Sequence, residues 1–192
     1  GPRGIGKYTL AVMLAAAANC EKLEDDFCGE CATCQGILPL LHPRPLIEQG
    51  LGLRGESADA ATVEREPLIL QSHPDVWALV PDPVRLKTPV ARPLLRIGQI
   101  RAAQRAAYYQ PLCKRRVFIF DDADTMRWEV ADVLLKTLEE PPGSSTFILT
   151  APSPFSLLPT VLSRCMQFHF APLDLAEVEA VIKNHSKLKA SE

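Results

Sequence analysis

Eight residues at the start of the chain, Gly1-Pro-Arg-Gly-Ile-Gly-Lys-Tyr8, limit what it can fold into. Gly1, Gly6 and Lys7 fit the spacing G-x-x-x-x-G-K of a phosphate-binding loop, the turn between a strand and a helix. Its glycines let the backbone coil tightly enough to aim successive N–H groups at phosphate oxygens. Lys7 supplies a point charge for the outer phosphates, and the helix that follows adds its positive end. Gly1, Arg3, Gly4, Gly6, Lys7 and Tyr8 are the loop's candidate nucleotide contacts. Tyr8 departs from the pattern. A Ser or Thr hydroxyl normally holds magnesium there, and a phenol on a long rigid arm cannot take its place. The loop reads as able to hold ATP or ADP and poorly built to hydrolyse it, with magnesium coordination compromised. Such a loop is launched by a buried strand and none precedes Gly1, so the chain reads as a fragment lacking its first strand.

The second strong pattern is C-x7-C-x2-C-x2-C, at Cys20, Cys28, Cys31 and Cys34. Short C-x2-C spacings let neighbouring thiolates point at one centre, and four thiolates make a closed, structural zinc site with no position open for water. Unrelated thiols, or two disulfides in an exported protein, are the alternatives. Cys113 and Cys165 stand alone and read as small buried hydrophobes.

The remaining segments read as alternating helices and strands. Thr9 to Asn19 is an Ala- and Leu-rich helix, apolar almost all round, which predicts burial on both sides. Residues from about Pro39 to Ser72 are broken by prolines and glycines and read as a surface insertion, with a short helix near Ala58 to Glu64. Val76 to Val80 is a buried strand after His73-Pro74-Asp75. Ile97 to Tyr109 is an amphipathic helix with Gln99, Arg101 and Arg105 on its outer face. Val117 to Phe120 is a strand ending in Asp121-Asp122. Trp128 to Leu138 is a helix stopped by Glu139-Glu-Pro-Pro-Gly143, and Thr146 to Thr150 is another strand. A short helix over Leu157 to Leu162, a final strand over Met166 to Phe170, and a last helix capped by Asp174 complete the order. That last helix has Val178, Val181 and Ile182 on its inner side. The pattern predicts an α/β fold whose mostly parallel sheet is covered on both faces.

An apolar strand ending in acids places carboxylates at the sheet edge that holds the phosphate loop. Asp121 would hold a metal through water, and Asp122 stands where a base would orient the attacking water. Most such pairs are solvated strand ends; Lys7 upstream gives this one its weight. The net charge of −2 announces neither nucleic acid nor an anionic surface, and no apolar run reaches the length of a membrane span. A cytoplasmic protein is expected.

The order of features resembles the bacterial clamp-loader subunits of the AAA+ class, most of all the delta-prime branch of DNA polymerase III. It runs phosphate loop, four-cysteine knuckle, His-Pro-Asp, Gln-Ile-Arg helix, Asp-Asp strand, Leu-Leu-Lys-Thr-Leu-Glu-Glu-Pro-Pro and Leu-Ser-Arg-Cys. The most specific stretches are Leu134 to Pro142 and Leu162 to Cys165. The resemblance implies a P-loop core over residues 1–172, a zinc knuckle over 20–34 and the start of a helical lid over 173–192. The insertion over about 39–72 departs from the family pattern by being longer. In the family the arginine matching Arg164 reaches the nucleotide of a neighbouring subunit, where a guanidinium answers the charge on a γ-phosphate. Without the resemblance, Arg164 reads as a side chain serving a helix end. The polar sensor of the family falls on Ala151, with Thr150 one place early and facing the other way, and Asp122 replaces a Glu.

The resemblance thus implies a subunit with weak or absent ATPase activity of its own, partnered by gamma/tau-like and delta-like subunits. Through that assembly it would act on a sliding clamp and primed DNA. Competing readings are a motor-type ATPase subunit, an unrelated P-loop kinase or transferase, and a zinc-knuckle nucleic-acid binder. Against the last, the knuckle carries Glu21, Glu24, Asp25, Asp26 and Glu30 beside a single Lys22.

Overall fold

The computed structural model describes residues 2–54, 60–83, 93–175 and 177–179. Gly1, Val181, Ile182 and the first residues of the helix expected near Ala58 to Glu64 lie outside this set. The elements are α1 (Lys7–Asn19), α2 (Ala32–Ile37), α3 (Pro43–Arg54), α4 (Ala60–Arg65), β1 (Leu70–His73) and β2 (Val76–Leu79). They continue with α5 (Ile97–Ala107), β3 (Arg116–Phe120), α6 (Trp128–Glu139), β4 (Ser145–Leu149) and α7 (Pro159–Leu162).

The four strands form one sheet in the order β1-β2-β3-β4, with β2, β3 and β4 parallel and β1 antiparallel to β2. All five residues of β3 are buried, as expected of a strand covered on both faces. Its alternation divides the core. Val117 and Ile119 face Val12, Ala15, Ala16, Ile37 and Leu40, whereas Phe118 and Phe120 face Ile100, Ala103, Val130 and Leu134. On that second side the rings of Phe118 and Phe147 stack 5.2 Å apart.

Three expectations are corrected here. The segment from Pro39 to Ser72 is no surface appendage. Leu40, Leu68 and Leu70 join the core, and Leu70 begins a strand. A Cβ on Gly50 of α3 would lie 2.6 Å from Leu68, so this helix packs closely on its neighbour. The prolines that suggested breakage start structure instead: Pro43 opens α3 and Pro39 lies in the 3-10 turn Leu38–Leu41. Met166 to Phe170 forms no strand; Met166 and Phe168 are strongly exposed, and no described strand lies beside them. In α1, Ala11, Val12, Ala15 and Ala16 are buried while Leu10 and Leu14 reach solvent, so the helix is covered on one side.

Gln99 is likewise displaced from its expected outer face. It is fully buried, accepts from the Arg96 amide (2.8 Å) and donates to the carbonyls of Leu68 (2.6 Å) and Val80 (2.9 Å). Asp174 does cap the last helix: its carboxylate accepts from the Glu177 amide (2.8 Å), and Glu177 reaches back to the Asp174 amide (2.9 Å).

Candidate functional site

The phosphate loop leads directly into α1. Gly4 and Gly6 have φ of 78° and 91°, a left-handed backbone that only glycine adopts without strain, and Gly6 is the N-cap. Lys7 opens the helix, its ammonium turned back to the Pro2 carbonyl. Tyr8 points inward. Its hydroxyl donates to the Leu40 carbonyl (3.0 Å), and burial, reinforced by the charge of Asp121, pushes the phenol far above its ordinary range. This hydroxyl is held by the core.

β3 ends opposite. The Asp121 amide donates to the Leu79 carbonyl (2.9 Å), fixing the acid at the strand's C-terminal end. Burial raises the Asp121 carboxyl above the usual range, and the Asp122 charge raises it further; a hydrogen bond from Thr150 and the charge of Lys7 oppose them. Asp122 adopts φ 46°, the one non-glycine residue with positive φ among those described, a conformation that costs energy and recurs at functional sites. Arg3 reaches from the loop to both Asp122 and Asp124, at 3.6 Å each. The loop and the acidic strand end therefore converge.

Thr150 belongs to this convergence, contrary to the expectation that it faces away. Its hydroxyl donates to Asp121 Oδ1 (2.7 Å) and accepts from the Asp122 amide (3.1 Å). β4 ends at Leu149, so the strand's alternation no longer fixes the direction of position 150.

The sulfur atoms of Cys20, Cys28, Cys31 and Cys34 all lie within 4.8 Å of one another, and none is in a disulfide. Cys28 and Cys34 are 4.0 Å apart, close to the edge of a tetrahedron of sulfurs around a metal at about 2.3 Å. Backbone amides aim at the same sulfurs: Leu23 at Cys20 (3.4 Å), Cys31 at Cys28 (3.3 Å) and Cys34 at Cys31 (3.4 Å). Gly29, at φ 74°, makes the turn that brings the amides of Glu30 and Cys31 round to the Cys28 sulfur. Burial pushes the Cys34 thiol up to about 12. At Cys20 burial acts the same way but is outweighed by hydrogen bonds to the sulfur, which draw it down to about 6. The four residues can hold a metal ion, and their donor set fits zinc.

The knuckle is docked by contacts the sequence did not reveal. Lys114 donates to the Cys20 carbonyl from outside it (2.6 Å), and within the knuckle Glu21 accepts from both the amide and the hydroxyl of Thr33. Beneath them Asp75, fully buried, accepts from the amides of Leu112 (2.8 Å) and Cys113 (2.7 Å) and pairs with Arg116 (2.9 Å). The His-Pro-Asp motif thus carries a structural acid.

Arg164 makes its contacts within α7 and its C-terminal turn and with the end of α6. Its guanidinium donates to the Thr160 carbonyl (2.8 Å) and the Ser163 hydroxyl (3.3 Å), and it pairs with Glu139. Asp121 and Asp122 thus join Arg3, Lys7 and Tyr8 in one place, while the bonds of Arg164 go to Thr160, Ser163 and Glu139.

The family described as DNA polymerase III, delta subunit, matches residues 1–174. The chain is 31% identical over 180 residues to DNA polymerase III subunit tau of Salmonella typhimurium, covering 93% of this chain and 22% of that protein. It is 31% identical over 169 residues to subunit delta' of Pseudomonas aeruginosa, covering 87% of this chain and 40% of that one. Identity to delta' of Bacillus subtilis is 27%, covering 93% of this chain and 43% of that protein. The chain therefore spans well under half the length of these relatives. A solved DNA polymerase III gamma subunit-related protein of Thermotoga maritima aligns with a TM-score of 0.42 at 23% identity, over 69% of this chain and 46% of that one. With residues 1–174 matched and relatives of 31% identity along nearly its whole length, the chain belongs to the DNA polymerase III clamp-loader subunits of the AAA+ family.

Proposed function

We propose that this chain is the core of a delta-prime-type clamp-loader subunit. It keeps a nucleotide pocket with weak or no turnover and lends Arg164 to the ATPase site of a neighbouring subunit. The observation that carries this reading is Tyr8. Its hydroxyl is committed to the Leu40 carbonyl, so the residue following Lys7 offers magnesium nothing. Asp121 and Asp122 remain beside the loop, but Arg3 lies against Asp122, and an acid one methylene shorter than Glu reaches less far towards a water. Arg164, with permanent planar charge on a half-exposed surface, suits a γ-phosphate presented by another chain.

The partners implied are gamma/tau-like and delta-like subunits, and through them a sliding clamp and primed DNA, in the cytoplasm. No helix among the described residues is long and apolar enough to cross a membrane. Zinc at Cys20, Cys28, Cys31 and Cys34 has a structural role, because four sulfurs close its coordination. Residues 1–172 form the nucleotide-binding core, and the helix capped by Asp174 begins the lid.

A second reading, a motor-type ATPase subunit, is favoured by one finding: the tau relatives are as similar to this chain as the Pseudomonas delta' protein. Titration of the full-length subunit with labelled ATP, with and without magnesium, separates the two. The delta-prime reading expects affinity that changes little on adding magnesium. A strong magnesium requirement favours the motor.

A further inference from the structure

Leu134 to Pro142 and Leu162 to Cys165, the two stretches that carry the family likeness most specifically, meet in the fold through one ion pair. Arg164 Nη2 donates to Glu139 Oε1 across 25 positions of sequence. Glu139 is the last residue of α6, and its N-terminal neighbours Leu134 and Thr137 are buried in the helix's inner face. A carboxylate at a helix C-terminus sits against the negative end of the dipole, so the position is unfavourable unless a cation lies beside it. Arg164 is that cation.

The guanidinium's other bonds go to Thr160 and Ser163, within its own turn. Those two contacts tie the side chain only to the segment it grows from. The bond to Glu139 is different: it ties the guanidinium to α6, which packs over β3 with Val130 and Leu134 against Phe118 and Phe120. An arginine that must meet a phosphate across a subunit boundary gains from having its plane set beforehand, because misplacement of a charged donor is costly in rate.

We infer that Glu139 is a positioning residue for Arg164, holding the guanidinium in the direction from which it meets a neighbour's triphosphate. This rests on the proposed trans role of Arg164. Both side chains of the pair are partly exposed, so the contact adds little to fold stability, and its loss reads out in turnover rather than melting.

The test uses the full-length subunit reconstituted with the ATPase subunits of its assembly, carrying Glu139→Gln, Arg164→Ala, the two together, or Glu139→Asp. Arg164→Ala is expected to lower kcat by about a hundredfold or more, in keeping with the worth of such arginines. Glu139→Gln is expected to lower kcat about three- to fivefold with KM for ATP unchanged, the scale of one half-exposed charge-assisted contact. The double variant should be no slower than Arg164→Ala alone, and Glu139→Asp should recover most of the rate. Wild-type kcat in Glu139→Gln, or a double variant slower than Arg164→Ala by the full Glu139→Gln factor, overturns the inference and leaves the role of Arg164 standing. Wild-type turnover in Arg164→Ala overturns the trans role, and this inference with it.

Discussion

The two ends of β3 carry charge under opposite conditions. At its start Arg116 is buried and its guanidinium is taken up by Asp75, the Ala106 carbonyl (2.8 Å) and the Gln110 carbonyl (3.2 Å). At its end Asp121 is half-buried, its carboxyl held above the usual range, with a hydroxyl as its hydrogen-bond donor and Lys7 acting through its charge. A buried charge satisfied on all sides is fixed in one state and serves the fold. A partly desolvated acid held above its usual range responds to charge brought near it, which is a condition common at binding sites. One strand thus separates a structural pole, with the sulfur centre and the Asp75–Arg116 pair, from a pole where the loop and the acids converge.

That contrast can be broken by substitution at either end. The largest effect belongs to the sulfur centre. Structural zinc is worth on the order of 10 kcal/mol in small metal-folded peptides. Elemental analysis is expected to return about one zinc per chain, and Cys34→Ser is expected to abolish it. It should also open residues 20–34 to hydrogen exchange, and unchanged protection there would detach the metal from the fold. Next comes Asp75→Ala, which strands Arg116 and two amides; a loss of about 3–5 kcal/mol in denaturant unfolding is expected. Tyr8→Phe removes one hydrogen bond to Leu40 and should cost about 1 kcal/mol.

The smallest effect tests the functional pole. Because the Asp121 carboxyl is raised in the folded state, folding favours its protonated form, and stability from this group is lost as pH rises through the folded value. Asp121→Asn should therefore stabilise the subunit slightly at neutral pH, and the gain should vanish below the ordinary Asp range. A gain that persists at low pH would mean that the acid is not desolvated as described.

Much of this fold was legible because periodicity and chemistry agreed. Val76 to Val80 and Val117 to Phe120 read as buried strands from continuous apolar runs, and both lie in the sheet. The cysteine spacing pointed to one centre, and the four sulfurs do converge. The misses share a cause: the information lay in partners distant in sequence. Gln99 looked like surface until Leu68 and Val80 supplied its acceptors, and Asp75 was silent without Leu112, Cys113 and Arg116. Thr150 was assigned to the wrong side because strand parity was carried one residue past the strand's end. The segment from Pro39 to Ser72 was misjudged because proline at a helix start looks, in sequence alone, like proline that breaks one.

The division of labour itself is tested most directly by ATP turnover of the purified full-length subunit, alone and then within its reconstituted assembly with Arg164 intact or replaced by Ala. The account predicts no turnover above background from the subunit alone and a slow assembly when Arg164 is missing. Turnover by the isolated subunit at the assembly's own rate, or an assembly indifferent to Arg164, would contradict it.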